Sequence, residues 1–326
     1  MSSNLPLKSD TLVTVFGGSG FLGRHVVRAL ARQGYRIRVG VRRPELAGHL
    51  QPLGKVGQIH PVQANLRYPA SVEAAMRGAD IVINLVGILA PSGAQTFDAV
   101  QAKGAAAVAQ AAARAGARLI HVSAIGADAE SPSLYAQSKA AGEAAVRDAV
   151  PEAVIFRPST VFGPEDSFTN RFAGIAQVSP IVPLVGGGVT RMQPVYVGDV
   201  AAAIAEATNG NAKPGAIYEL GGPEVMTLRE IMETILRIID RNRWLAPLPF
   251  GLARLNSFLL QFAPAPFTLT PDQVTLLEHD NLVSDQAKAA GLTLEGLGIV
   301  PDSLEAIAPQ YLWRFRPLGQ FQRMNV

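Results

Sequence analysis

Tyr135 and Lys139 stand four residues apart in Leu134-Tyr135-Ala136-Gln137-Ser138-Lys139-Ala140-Ala141-Gly142-Glu143. On a helix that spacing puts both side chains on one face. A lysine ammonium beside a phenol lowers the phenol's pKa, so the tyrosine exchanges a proton near neutrality. Upstream, Ser123 closes the apolar run Leu119-Ile120-His121-Val122-Ser123, which reads as a strand. Its hydroxyl is suited to hydrogen-bond the same substrate oxygen. Serine, tyrosine and lysine in this order form a candidate acid/base set. Taken alone, a tyrosine and a lysine at this spacing are a common surface coincidence, so the preceding chain decides.

That chain opens with Val13-Thr14-Val15-Phe16-Gly17-Gly18-Ser19-Gly20-Phe21-Leu22-Gly23. A short apolar run enters a glycine-rich turn, and a helical pattern of Leu22, Val26, Val27 and Leu30 leaves it. Gly17 permits the tight turn. Gly20 lets backbone approach a pyrophosphate, and Gly23 lets the helix pack close to the strand. The helix N-terminus offers unpaired N–H groups to phosphates. Ser19, Phe21 and Leu22 lie in the same turn and join the expected dinucleotide contacts. A tight turn without a ligand is the competing reading, which the flanking strand and helix make the poorer one.

The second strand is Arg36–Val41, followed by Arg42 and Arg43. In a dinucleotide fold this strand end meets the adenosine ribose, where an acid selects NAD and arginine the 2′-phosphate of NADP. No acid stands here, and arginine's forked guanidinium suits phosphate. NADP(H) is therefore expected over NAD(H), NADPH being the form named and NADP or NAD the alternatives, with a solvated basic turn as the competing reading. Arg38 lies upstream on the same strand. A third strand, Gln58–Leu66, ends near the expected adenine position at Asn65 and Leu66. Ser71–Arg77 reads as a short helix. Asp80–Gly87 is a continuous apolar run typical of a buried parallel strand, and Val86 and Gly87 at its end allow close approach of a cofactor. An alanine-rich helix follows over Gln101–Gly116. Strands alternating with helices predict an α/β fold, a Rossmann-type doubly wound parallel sheet.

Composition narrows the function classes. The chain has 326 residues, 48% hydrophobic and 17% charged, with a formal charge of +3. That charge is too slight to argue nucleic-acid binding. With no cysteine, disulfides, thiolate metal sites and cysteine nucleophiles are excluded. The five histidines are scattered, and no metal site is expected. Met1–Asp10 has no apolar stretch of signal-peptide length. No run is long and apolar enough to span a bilayer.

The C-terminal half is less regular. Leu228–Arg241 predicts an amphipathic helix with Ile231, Ile235, Leu236 and Ile239 inward. Trp244–Phe262 is apolar and broken by prolines. A helical face over Gly251–Phe262 is expected to cap the substrate region as core; an exposed face for a partner or a membrane surface is the alternative. Helices are expected from Thr270 and over Ser303–Tyr311. Asp199 is expected to cap or anchor a helix at Val200. The last segment, Tyr311–Val326, is aromatic and basic, with no acid after Glu305. Two readings stay open for it: folded back on its own domain, or docked on a partner.

These motifs together resemble the extended short-chain dehydrogenase/reductase superfamily over about residues 11–240. Phe156-Arg157-Pro158-Ser159-Thr160-Val161-Phe162-Gly163-Pro164, Val195–Val200 and Tyr218–Gly222 add to the glycine turn, Ser123, Tyr135 and Lys139. The resemblance implies a Rossmann domain with a smaller C-terminal lobe interleaved with it. It implies Ser123 orienting a carbonyl, Tyr135 as acid or base, Lys139 holding the nicotinamide ribose and Pro158 near the cofactor. Two positions depart from the family: Asn65, where an acid is common, and Gln101, where asparagine is common. The first alters adenine contacts, and the second touches a proton-relay position.

Longer stretches resemble one branch, the short-chain-dehydrogenase-like accessory subunits of respiratory complex I in their alphaproteobacterial form. They are His49–Ile59, Val82–Gly87, Glu143–Ala153 and Phe162–Phe172. This resemblance implies tightly held NADPH and a structural role among peripheral-arm subunits near the quinone site, without independent turnover. It implies peripheral attachment to the cytoplasmic face of the bacterial inner membrane through that complex. The alternative is an NADP-dependent reductase, epimerase or dehydratase using Ser123, Tyr135 and Lys139. The expected domains are an N-terminal tail (1–10) and a Rossmann domain (11–165, its sheet completed from 190–222). An interleaved lobe (166–310) and the aromatic-basic tail (311–326) follow.

Overall fold

Strand β1, Leu12–Phe16, is buried along its whole length, as its unbroken apolar sequence requires. The remaining elements are read from a computed structural model that describes residues 7–263 and 267–321. The first six residues of the expected N-terminal tail and the last five of the aromatic-basic segment lie outside the described residues. In chain order the elements are α1 (Phe21–Arg32), β2 (Arg36–Val41), β3 (Ile59–Gln63), α2 (Pro69–Met76), β4 (Ile81–Asn84), α3 (Lys103–Ala115), β5 (Arg118–Val122), α4 (Leu134–Ala149) and β6 (Val154–Pro158). There follow β7 (Val161–Phe162), α5 (Thr169–Val178), β8 (Ile181–Val185), β9 (Arg191–Met192), β10 (Val195–Tyr196), α6 (Val197–Asn209) and β11 (Ile217–Leu220). Then come β12 (Met226–Thr227), α7 (Leu228–Ile238), β13 (Trp244–Leu248), α8 (Phe250–Leu260), α9 (Pro271–Leu276), α10 (Asp285–Ala289), α11 (Leu304–Ile307) and α12 (Pro309–Leu312).

Seven strands form one sheet in the order β11-β6-β5-β4-β1-β2-β3. β1 pairs in parallel with β2 on one side and β4 on the other, so Val15 lies between Val39 and Ile83. β2–β3, β4–β5 and β5–β6 are parallel as well. The doubly wound parallel sheet anticipated from the alternating pattern is present. The strand order reverses between β1 and β4, and in such sheets the crevice beyond the carboxyl ends of these strands takes the ligand.

The chain divides into two compact units. The first comprises residues 1–157, 200–218 and 294–299, and the second 158–199, 219–293 and 300–326. One core of the first unit packs Phe16, Val82, Leu119 and Ile155 against alanines of α3, including Ala105, Ala109 and Ala112. Small side chains there let the helix lie close on the sheet. α3 stops at Gly116, whose φ of +64° suits the left-handed cap.

The second unit is centred on α7. Its Leu228, Ile231, Met232, Ile235 and Ile238 are buried, with Ile239 just beyond. Leu236, expected inward, is only partly covered. Thr227 and Glu230 close a capping box at its start, which contributes about 1 kcal/mol. Tyr311 and Leu312 belong to the same core. The Tyr311 hydroxyl meets Thr169 Oγ1 (2.9 Å) and Asp166 (3.3 Å). Arg316 Nε donates to the Ile238 carbonyl, and Arg241 Nε to that of Phe315. Residues 311–316 are thus folded onto their own unit, while Leu318 and Phe321 are exposed.

Two local expectations are corrected. Asp199 does not cap a helix at Val200, because α6 already begins at Val197. Its carboxylate instead accepts from the Asp302 amide at 2.8 Å, and burial pushes its pKa up to about 6. The α8 face expected to be core is the exposed one. Only Ala253 and Ser257 are fully buried, because α8 packs on β8 and α9 through one narrow side. Among the described residues no helix is long and apolar enough to cross a membrane.

Candidate functional site

The glycine turn joins β1 to α1. Gly17 has a φ of +80°, which only glycine adopts readily, and its amide donates to the Gly40 carbonyl at 3.2 Å. Gly20 donates to the Gly17 carbonyl at 3.0 Å, which tightens the turn. A Cβ on Gly23 would collide with the Gly17 carbonyl oxygen and lie 2.6 Å from Gly18 Cα. Hence α1 and the turn touch backbone to backbone. α1 begins without a side-chain cap and without an acid in its first turn. Its first amides and positive dipole end are therefore left for an anion. Ser19, Phe21 and Leu22 are half-buried around this start.

Arg42 and Arg43 follow β2, both exposed, and neither side chain makes a hydrogen bond or ion pair with the described residues. Arg38 is different. Its guanidinium donates to the carbonyls of Ala75 (2.9 Å) and Arg77 (2.7 Å), so it caps the end of α2 and is spent there. After β3, the Asn65 carboxamide accepts the Arg67 amide at 3.2 Å and holds the turn. Leu66 is buried against the backbone of Gly104 on α3, so only its main chain is left for a ligand. Val86 is half-buried and Gly87 exposed just past β4. A Cβ on Gly87 would lie 3.3 Å from Lys139 Nζ. The turn after β4 and the lysine of α4 therefore face one another. Pro158 is buried at the end of β6.

α4 carries the acid/base pair. Ser133 caps it by accepting the Ala136 amide at 3.2 Å. Lys139 is 6% exposed, its Nζ 5.8 Å from the centre of the Tyr135 ring and 3.3 Å from the Val122 carbonyl. Burial lowers its pKa to about 8, and the nearby Glu143 carboxylate partly opposes that shift. The Tyr135 ring is half-buried, with Phe97 edge-on at 5.8 Å. Ser123 is 3% exposed, and its Oγ has no hydrogen-bond partner among the described residues. A buried hydroxyl without a partner costs about 1–3 kcal/mol, which a bound oxygen would recover.

Glu143 and Asn84, which sequence reasoning passed over, hold this floor in place together with His121 and Gln101. Glu143 sits one turn past Lys139 and accepts two hydrogen bonds from Arg157 of β6, at 2.9 and 2.6 Å. The available signal was the i+4 spacing from Lys139 on the same helical face. Asn84, a polar residue ending an apolar strand, donates to His121 Nδ1 at 3.2 Å and accepts the Val86 amide. His121 is fully buried, and desolvation first, then Lys139, lowers its pKa to about 3. It is a neutral packed histidine. Gln101 lies in a short π-helical turn, Asp98–Ala102, that leads into α3. Its carboxamide donates to Ser138 Oγ at 3.2 Å and accepts from the Ile88 amide at 3.5 Å. This glutamine ties the turn before α3 to α4 and to the turn after β4. Among the described residues no group of three histidine, aspartate or glutamate side chains is placed to hold a metal.

Residues 13–221 match the family described as the NAD dependent epimerase/dehydratase family. The chain is 37% identical over 323 residues to the Arabidopsis thaliana protein named NADH dehydrogenase (ubiquinone) 1 alpha subcomplex subunit 9, mitochondrial. That match covers 95% of this chain and 79% of the relative. The Mus musculus protein of the same name is 35% identical over 94% of this chain and 81% of its own length. The Caulobacter vibrioides protein named ceramide reductase is 39% identical over 191 residues, 59% of each chain. Among solved structures, a dTDP-glucose 4,6-dehydratase from Streptomyces venezuelae superimposes with a TM-score of 0.71 at 21% identity, covering 94% of this chain and 96% of that one. It shows the shared fold. The chain belongs to the NAD dependent epimerase/dehydratase family, and its relatives there include subunits of respiratory complex I.

Proposed function

We propose that this chain is a nicotinamide-dinucleotide-holding accessory subunit of respiratory complex I, peripheral to the membrane, in which the bound cofactor stabilises a fold that other subunits dock on. The observation that carries this reading is the 37% identity to a named complex I subunit over 95% of the chain. Family membership supports a nicotinamide dinucleotide as the ligand. Three features of the chain suit it: the backbone cradle at Gly17–Gly23, the uncapped start of α1, and the unpartnered Ser123 Oγ. A 2′-phosphorylated dinucleotide suits the site best, with NADPH as the bound form in this reading, because Arg42 and Arg43 follow β2 and neither has a partner among the described residues. In this reading Gly17, Ser19, Gly20, Phe21, Leu22 and Gly23 receive the pyrophosphate. Asn65 and Leu66 border the adenine. Val86, Gly87, Tyr135, Lys139 and Pro158 border the nicotinamide half. Partners among the peripheral-arm subunits near the quinone site, on the cytoplasmic face of a bacterial inner membrane, belong to the same proposal.

The second reading is a reductase of the same family. The 39% identity to a ceramide reductase favours it, as does the retained acid/base set. When bound, a nicotinamide dinucleotide supplies or accepts a hydride. Here Ser123 Oγ would hold a substrate carbonyl oxygen. Tyr135 would pass it a proton, and Lys139 would keep the phenol acidic. Purification from native membranes followed by Tyr135→Phe separates the two. The accessory-subunit reading expects copurifying complex I subunits, bound NADPH, and respiratory electron transfer within about twofold of wild type in the variant. A chain that leaves membranes alone, and whose measured NADPH-dependent reductase rate collapses in Tyr135→Phe, supports the second reading instead.

A further inference from the structure

We infer that Arg157 is a positioning residue: by holding Glu143 it keeps that carboxylate off Lys139, so that the buried ammonium stays free for the nicotinamide half of a bound dinucleotide. The inference rests on the reading that a nicotinamide dinucleotide binds at this site. Glu143 follows Lys139 by four residues on α4, so the two share one helical face. Side chains on a helix lean toward its N-terminus, which brings the glutamate back over the turn of the lysine. Both are buried, Glu143 4% and Lys139 6% exposed, where opposite charges attract most strongly. Yet they form no ion pair. Lys139 Nζ donates instead to the neutral Val122 carbonyl at 3.3 Å. Both Glu143 oxygens are turned to Arg157, Oε1 to Nε at 2.9 Å and Oε2 to Nη2 at 2.6 Å. A guanidinium fork fills both oxygens of a carboxylate at once, which a single ammonium does not.

The ammonium left over has a direction. A Cβ on Gly87 would lie 3.3 Å from Nζ, so the charge faces the turn after β4. Burial without a counter-ion is costly, and it lowers the lysine's pKa to about 8, with Glu143 opposing from its place beside Arg157. The other titratable groups around Lys139 do not compete for it. Tyr135 on α4 presents its ring, 5.8 Å from Nζ. His121 on β5 is neutral, kept so by burial and then by the lysine itself. Asp98, in the turn that leads into α3, is exposed and pairs with Lys103 at 2.6 Å. Glu143 is therefore the carboxylate that could tie the ammonium up, and β6 supplies the arginine that prevents it.

The test uses the full-length chain with its lysine ε-carbons labelled for NMR, the Lys139 signal assigned by its loss in Lys139→Arg. Without dinucleotide, the wild-type Lys139 signal should titrate near pH 8. Arg157→Met frees Glu143 to pair with the lysine and should raise that midpoint by about one unit or more. Glu143→Gln should lower it. Both variants break the same contact, so a purely structural role would move both midpoints in the same direction. The double variant Arg157→Met, Glu143→Met should bring the midpoint back down. If Arg157→Met is too unstable to titrate, the direction of the Glu143→Gln shift decides. Calorimetric titration at pH 7 supplies the second arm. Arg157→Met should weaken NADPH by at least about tenfold, and 2′,5′-ADP, which lacks the nicotinamide half, by less than about twofold. The double variant should recover NADPH. An unchanged or lowered midpoint in Arg157→Met, a raised one in Glu143→Gln, or equal weakening of NADPH and 2′,5′-ADP overturns the role of Arg157. A wild-type chain that binds no NADPH overturns instead the dinucleotide reading, and with it the ligand named here.

Discussion

Glu143 and Arg157 form a two-bonded ion pair, Nε to Oε1 at 2.9 Å and Nη2 to Oε2 at 2.6 Å, one helical turn beyond Lys139. The Glu143 side chain is 6% exposed and that of Arg157 25%. The pair fastens α4 to β6 and places a carboxylate near the lysine. Removing one partner strands the other charge, which costs about 3–5 kcal/mol when it is buried. Glu143→Ala should therefore lower the free energy of urea unfolding by that order. A loss under about 1 kcal/mol would show that Arg157 finds water instead.

Lys139 should leave a signature in the pH dependence of stability. Its folded pKa, about 8, lies below the usual 10.5. Between those values the unfolded chain binds more protons than the folded one, so the lysine's contribution grows more favourable as pH rises. Below about 8 the cost of burying the ammonium is present in full. In the dinucleotide-stripped chain, Lys139→Met should therefore be the more stable protein at pH 7, with its advantage shrinking as pH rises toward 10.5. Thermal midpoints measured across that range check this; a constant difference would refute the depressed pKa.

Gly23 tolerates no side chain. The Cβ of alanine would lie 2.6 Å from Gly18 Cα and meet the Gly17 carbonyl, and backbone cannot swing aside as a flexible side chain can. Overpacking of this kind costs about 1–3 kcal/mol. Gly23→Ala should lower the melting temperature by several degrees and release the dinucleotide from the purified protein. Gly34→Ala, at another α1-flanking glycine with open space around its Cβ position but a φ of +92°, separates the two effects. It should cost stability through backbone strain and leave the dinucleotide bound.

Arg42 and Arg43 should read the 2′-phosphate. Hydrogen bonds to a charged group contribute about 1.5–3 kcal/mol, equivalent to tenfold or more in affinity. The double variant Arg42→Ala, Arg43→Ala should weaken NADPH by at least about tenfold and NADH by less than about threefold. Calorimetric titration of both cofactors decides the point, and equal weakening would remove these residues from the phosphate.

Local geometry makes much of this protein legible in its sequence. The turn at Gly17–Gly23 follows from where a Cβ cannot fit, and Tyr135 faces with Lys139 because a helix repeats every 3.6 residues. The parallel sheet follows from strands and helices in alternation. Tertiary structure decides the rest, since it joins segments whose separation carries no signal. Asn84 meets His121, Gln101 meets Ser138, and Glu143 meets Arg157 only because the sheet places β4 beside β5 and β5 beside β6 and the helices cover them. In sequence Arg38 is as available to a phosphate as Arg42, but α2 ends beneath it and its carbonyls take the guanidinium. On α8 the periodicity shows that large apolar residues share a face. Only the packing of Ala253 and Ser257 inward decides that Leu255, Phe258 and Leu259 are turned toward water.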